Sequence, residues 1–174
     1  MVGNHDAALG AFEKALNIDP RNFGALSGKG HVLKTIGRQE EAIASYRECV
    51  KQNPDHGETW WSMANLKTFR FDDADVDNML QRVARESLVE EQRTNFHFAL
   101  GKAFEDREDY DRAFEQFALG NANRRQREIY DPVQTADLHD QFIETFSRDF
   151  LASHRDAGCP SNAPIFIVGL PRSG

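Results

Sequence analysis

The sequence predicts a mainly α-helical solenoid, an α-α superhelix of repeated helix pairs, followed by the first strand and loop of an α/β domain. Three observations carry that prediction. Residues of matched type recur at an offset of 34: Pro20 with Pro54, Ala8 with Ala42, Phe12 with Tyr46, Gly3 with Gly37. Between them, apolar residues recur at helical spacing. Near the end, Pro164-Ile165-Phe166-Ile167-Val168 forms one short, continuously apolar, β-branched run, the mark of a strand buried on both faces.

A 34-residue period is that of the tetratricopeptide repeat. Residues 23–56 make one full unit, in which Leu26, Gly30, Leu33, Gly37, Ala42, Tyr46 and Pro54 fall at the large, small, large, turn, small, large and stop positions. Gly30 and Ala42 are small where two helices cross. Gly37 ends the first helix at a backbone angle other residues resist. Pro54 ends the second, having no N–H to continue the ladder. A partial unit, 1–22, precedes it, with a helix over 5–18. The frame puts Met1 in mid-unit, so the N-terminus reads as cut, and Ala8, Leu9, Phe12 and Leu16 are expected to lack a packing partner.

The unit 57–93 keeps Trp60, Met63, Ala64 and Lys67 at the same offsets, which predicts its first helix. The acids of Asp72-Asp73-Ala74-Asp75 suit a helix start. Val76, Met79, Leu80 and Val83 recur at i, i+3, i+4, i+7, a second helix face. Ser87 and Glu90, three residues apart, read as a capping box that opens the next helix. The unit 94–127 is anchored by Gly101, Phe104, Tyr110, Ala113 and Phe117, with helices over roughly 88–107 and 109–127. Residues 128–155 form a connecting segment, where Leu138, Phe142, Phe146 and Phe150 predict one amphipathic helix over about 133–154. Residues 156–163, with Gly158, Pro160, Ser161 and Asn162, read as a linker.

Composition narrows the function. Lys and Arg number 21 against 28 Asp and Glu, a net charge of −7. An acidic surface argues against nucleic acid and anionic membranes as partners. No apolar run approaches the ~20 residues of a membrane span. No basic stretch followed by an apolar one opens the chain, so a cytoplasmic location is expected. Cys49 and Cys159 are the only cysteines, which excludes a disulfide scaffold. Cys49 stands in a small-residue slot and reads as a buried, inert thiol.

One motif carries chemistry. The strand at 164–168 feeds Gly169-Leu170-Pro171-Arg172-Ser173-Gly174. Glycine-bounded loops after a strand let backbone N–H groups close on a phosphate, and Arg172 would add a forked cation. The Gly169 to Gly174 spacing also fits the first part of a Walker A loop.

The run P-I-F-I-V-G-L-P-R-S-G closely resembles the opening of sulfotransferase domains. The order of repeat array, linker and this motif resembles bacterial tetratricopeptide-repeat sulfotransferases, related to protein-tyrosine sulfotransferases. W-W-S-M-A-N-L-K-T-F-R-F (60–71), H-F-A-L-G-K-A-F-E-D (97–106) and A-N-R-R (122–125) are similar to that family too, so the resemblance covers essentially the whole chain. It implies sulfuryl transfer from 3′-phosphoadenosine 5′-phosphosulfate, with Arg172, Ser173 and Gly174 holding the donor and Gly169 and Pro171 shaping the turn. It places 164–174 at the start of the sulfotransferase domain, with the catalytic base further on, and the 174 residues are then expected to be inert alone. Two readings stand beside it: a scaffold or peptide-binding module without catalysis, and a nucleoside triphosphatase with an interrupted Walker A loop.

For the repeat region the expected partner is a protein or peptide in the concave groove lined by first helices. By repeat offset the groove shows Ser27, His31, Lys34, Trp61, Asn65, Thr68, Phe98 and Lys102. Lys and Asn are missing from the places of Ser27 and His31, where a site resembling the chaperone-binding clamp needs them. Trp61 and Phe98 read equally as peptide anchors or as packing between units. Arg124, Arg125 and Arg127 read as cations offsetting a helix dipole, or as an interface with the missing domain. No metal is expected: Asp73, Asp75 and Asp77 alternate as in a calcium loop, but Asn78 and Ala84 stand where that loop needs Gly and Glu. The histidines show no metal spacing, and His97 reads as a helix-face residue.

Overall fold

The computed structural model describes residues 4–155, 157, 158 and 161. These residues are helical and contain no strand: α1 His5–Ile18, α2 Phe23–Thr35, α3 Gln39–Gln52, α4 Gly57–Ala64, α5 Asp73–Val83, α6 Glu90–Glu105, α7 Tyr110–Arg125, α8 Pro132–Thr145 and α9 Arg148–Ser153. They fall into two compact units that divide between Glu128 and Ile129. The expected strand 164–168 and loop 169–174 lie outside the described residues.

In the first unit, α2 packs on α3 and α6 on α7 as hairpins, with α1 on α2, α3 on α4, and α4 and α5 on α6. Short polar side chains start α1, α2, α5 and α7. Asn4, Asn22 and Asp109 each accept a backbone N–H of the first turn, and Asp72 with Asp75 makes a reciprocal capping box. Leu33, Tyr46, Met63, Met79, Phe96, Leu100 and Phe104 are fully buried and form the core.

Two hairpins share one construction. Tyr46 lies on Gly30, where an added Cβ would sit 2.4 Å from the ring, and Phe117 lies on Gly101, where it would sit 2.6 Å away. Both turns close alike. Gly37 has φ 83° and Glu108, at the equivalent repeat position, has φ 61°. In each, the next N–H reaches back to a buried residue five earlier, Arg38 to the Leu33 carbonyl at 2.9 Å and Asp109 to the Phe104 carbonyl at 3.0 Å.

The structure corrects four expectations. Helix α1 does not lack a partner: α2 covers it, Leu9 is buried, and the Phe12 ring seats on Gly28. The first helix of the 57–93 unit stops at Ala64, leaving Lys67 in a turn. Asn65 folds its amide back to the Trp61 carbonyl at 2.9 Å, and Leu66 and Phe71 turn inward instead. Ser87 and Glu90 form no capping box, since α6 begins after Val89 with no side-chain cap. Leu88 is buried there, and the Arg93 guanidinium gathers the freed carbonyls of Val83, Arg85 and Leu88, so the connection is pinned as a turn. The segment 133–154 is two helices, not one, because Ser147 caps the Phe150 N–H and restarts the chain as α9.

In the second unit, Asp131 caps α8 and Pro132 opens it. Phe142, Phe146, Phe150 and His154 form a ladder of rings, with successive centroids 6.4, 5.5 and 4.2 Å apart.

Three substitutions test this construction by urea unfolding. Gly30→Ala is expected to cost ~1–3 kcal/mol, because the Tyr46 ring has nowhere to retreat. Gly37→Ala should cost ~1 kcal/mol, and Glu108→Gly should add ~0.5–1 kcal/mol, since the same left-handed turn is relieved rather than strained. Loss of stability in Glu108→Gly would contradict the turn geometry.

Candidate functional site

Helices α2, α4 and α6, with the turn after α4, carry the residues expected to line the groove, and the structure sorts them into two groups. Trp61 and Phe98 come together, half-buried, with ring centroids 5.5 Å apart and planes tilted by 43°. The others face commitments of their own. Lys102 holds Glu105 and Asp106. The Thr68 hydroxyl donates to Gln39 at 2.8 Å, and the Asn65 amide is bound to its own helix. Ser27 is buried, and Lys34 is half-buried.

Around the ring pair lies a cavity of about 470 Å³, lined also by Glu91, Thr94, Asn95, Arg124 and Arg127. Its construction follows from one small residue. Phe98 seats against Gly120 of α7, where an added Cβ would meet the ring at 2.9 Å. Gly120 and Arg124 stand at i and i+4 on α7, one helical stripe, and Arg127 follows in the turn after the helix. The stripe that begins under the Phe98 ring therefore continues along the cavity as the Arg124 guanidinium, with that of Arg127 lining the same cavity. On α6, Glu91, Asn95 and Phe98 share the same spacing and make the facing wall. By sequence the arginines read as cations offsetting a helix dipole or as an interface with a further domain. Their spacing from Gly120 was legible, but only the α6–α7 hairpin brings them beside Trp61 and Phe98.

His31 sits in a different setting, a polar network where α2, α3 and α4 meet. Burial pushes the Tyr46 hydroxyl up to about 12, so it stays protonated, and it is hydrogen-bonded to His31 Nδ1 at 2.9 Å. The other ring nitrogen approaches Ser27 Oγ at 3.3 Å and the Glu58 carboxylate at 3.7 Å. Thr59, fully buried, links Ser27, Cys49 and His56 Nδ1 at 3.3, 3.3 and 2.7 Å. Burial lowers both imidazoles below the ordinary histidine value, with Glu58 opposing it, and raises the Cys49 thiol. The network is thus neutral and satisfied, a seam between repeats rather than a reactive centre. His97 is likewise inward, bonded to Gln116 at 2.9 Å.

Gly169, Pro171, Arg172, Ser173 and Gly174 lie outside the described residues. Among the described residues, no cluster of His, Cys, Asp or Glu could hold a metal ion, and no helix is long and apolar enough to cross a membrane.

Residues 24–56 match the tetratricopeptide repeat family, so α2 and α3 form such a repeat. The chain is 28% identical over 155 residues to an uncharacterized protein of Aquifex aeolicus, covering 89% of this chain and 20% of that protein. It is 35% identical over 68 residues to the protein O-mannosyl-transferase TMTC1 of Homo sapiens, 37% of this chain and 8% of that one. It is 38% identical over 53 residues to small glutamine-rich tetratricopeptide repeat-containing protein 2 of Mycosarcoma maydis, 30% of this chain and 15% of that one. The chain therefore spans a fifth or less of the length of these relatives, and none of the three names a sulfotransferase.

The polar seam predicts a pH dependence. Above the unfolded histidine value of 6.5 both states are neutral at His31 and His56, and stability is complete. As pH falls, the unfolded chain takes up protons that the folded chain refuses until its lower values are reached. The urea midpoint is expected to fall from about pH 7 to about pH 5, and the His31→Gln, His56→Gln double variant should flatten that slope. A slope unchanged in the variant would move the effect to the carboxylates.

Proposed function

We propose that this chain is a protein-interaction module, a tetratricopeptide array that receives a peptide segment on the face made by α2, α4 and α6. The observation that supports this reading most is the Trp61–Phe98 cavity. Two aromatic rings line an open recess of about 470 Å³ on the first-helix face of a repeat array. Aromatic anchors in a pocket are what carry most of the binding energy at protein interfaces. His31, Asn65, Thr68 and Lys102 are already engaged within the chain, which suits a rigid surface that binds without rearranging.

A second reading rests on the sequence 164–174. Its resemblance to the opening of sulfotransferase domains favours an array that presents an acceptor to a sulfotransferase. On that reading the co-substrate is 3′-phosphoadenosine 5′-phosphosulfate, held at Gly169, Pro171, Arg172, Ser173 and Gly174. Catalytic residues would lie outside this chain, and the 174 residues alone would be inactive. The resemblance is confined to sequence, so the interaction module is the leading reading.

For the first reading, peptides selected from a random displayed library should perturb Trp61 fluorescence and bind about tenfold or more weakly to Trp61→Ala, whose helical circular dichroism is retained. Selected peptides that bind Trp61→Ala equally well would remove the cavity from the role. For the second, the codons after Gly174 decide much: two threonines favour the donor loop, Lys followed by Ser or Thr the triphosphatase, and a stop codon the scaffold. Where threonines follow, the protein from the intact gene should bind 3′-phosphoadenosine 5′-phosphate, and Arg172→Ala should weaken that binding by ~1–3 kcal/mol by calorimetry.

A further inference from the structure

We infer that the segment taken by the Trp61–Phe98 cavity is acidic: a stretch of peptide in which an aromatic or aliphatic side chain lies next to Asp or Glu. This deepens the interaction-module reading and rests on it. Two observations carry it beyond a generic apolar groove.

The first is the state of the arginines. Elsewhere in this unit, Arg38, Arg47, Arg70, Arg82, Arg85, Arg93, Arg107 and Arg112 each hold a carboxylate of the chain, while Arg21 and Arg125, which line no cavity with the two rings, do not. Arg124 and Arg127 hold none among the described residues, although the chain carries 28 carboxylates and a net charge of −7. Both line the same cavity as Trp61 and Phe98. A guanidinium left unpaired beside an apolar platform offers a forked donor to a planar acid. Two of them three residues apart can share one carboxylate or take two in succession.

The second is the placement of the opposing charge. Among the described residues, Glu91 is the one acid lining that cavity, and it stands on α6 while Arg124 stands on α7 and Arg127 in the turn after it. It makes no ion pair with them, and the cavity keeps an excess of one positive charge. The ligand's apolar side chain is directed to the rings, its acid to the α7 side, and Glu91 repels an acid placed the wrong way round. Glu128 borders a shallower recess that Glu91 and the two arginines also line, so an acid that strays toward it meets repulsion as well. The Asn95 amide, on the Glu91 wall, adds a neutral donor and acceptor for the peptide backbone.

Fluorescence polarisation tests this with a short fluorescein-labelled peptide of alternating phenylalanine and glutamate and its twin with lysine for glutamate. The glutamate peptide is expected to bind at least about tenfold tighter than the twin, and more weakly as salt rises. Arg124→Glu with Arg127→Glu should erase or invert that preference, and Glu91→Gln should tighten the glutamate peptide. Equal binding of the two peptides, or a Glu91→Gln variant that binds the glutamate peptide no better, overturns the inference on the native fold even if the double variant misfolds. So does displacement of the peptide by a lower concentration of adenosine monophosphate, which would make the cavity a nucleotide site. Loss of binding in Trp61→Ala without any charge preference would overturn the acidic ligand and leave the interaction module standing. No binding of either peptide, together with no library peptide that depends on Trp61, would sink both.

Discussion

An aromatic ring packed directly on a glycine is the contact on which the first unit depends. It occurs at Tyr46 on Gly30, at Phe117 on Gly101, at Phe12 on Gly28 and at Phe98 on Gly120. The missing Cβ lets the ring touch backbone, so a large apolar area leaves water while the helices stay close. In the first two cases the contact closes a hairpin. In the third it docks α1 on the next hairpin and gives that helix the partner its sequence alone did not reveal. In the fourth it shapes the candidate site, because the ring on Gly120 sets where the rest of that α7 stripe must lie.

The seam between repeats is built on a different principle. Ser27, His31, Tyr46, Cys49, His56 and Thr59 are polar or titratable, yet among the described residues no buried side-chain nitrogen or oxygen lacks a hydrogen-bond partner. A satisfied network of this kind specifies register, because sliding one helix past another would orphan several groups at once. It also buries Ser27 and engages His31, whose side chain stays 41% exposed. The groove is thereby asymmetric: His31 is engaged at the α2 end, and at the α6–α7 end stand the two rings and two guanidiniums that hold no carboxylate among the described residues. That asymmetry is what turns a generic repeat surface into one with a preferred place, and a preferred charge, for a ligand.

Ion pairs reinforce the departures from the repeat rule. Where the 57–93 unit loses its usual turn and Pro, Arg47 of α3 holds Asp75 of α5 and stands over the Phe69 ring at 5.1 Å. Arg82 and Arg85 both hold Asp55, tying α5 and the turn after it to the end of the previous unit. Arg93 gathers the carbonyls of the 83–88 connection. Each is exposed in part and contributes modestly to stability. Together they direct an irregular stretch into one path.

The repeat period, the helix pairs, the left-handed turn at Gly37 and the stop before Pro54 were all determined by the sequence alone, because they are local: spacing, caps and breakers act within a few residues. Trp61 and Phe98 were legible as groove candidates by offset. What the tertiary structure decided is what depends on distant neighbours. Glu108 adopts the angle of Gly37 because the Phe104 carbonyl captures the Asp109 N–H, not because glutamate prefers it. Ser87 gives up its expected cap because Leu88 gains more by burial in the core. Arg124 and Arg127, cations at a helix end in the sequence, become part of a site only because Gly120 admits Phe98 and brings two helices into contact. Local chemistry can be read along the chain; which side chains share a cavity is set by packing, and packing is a property of the whole unit.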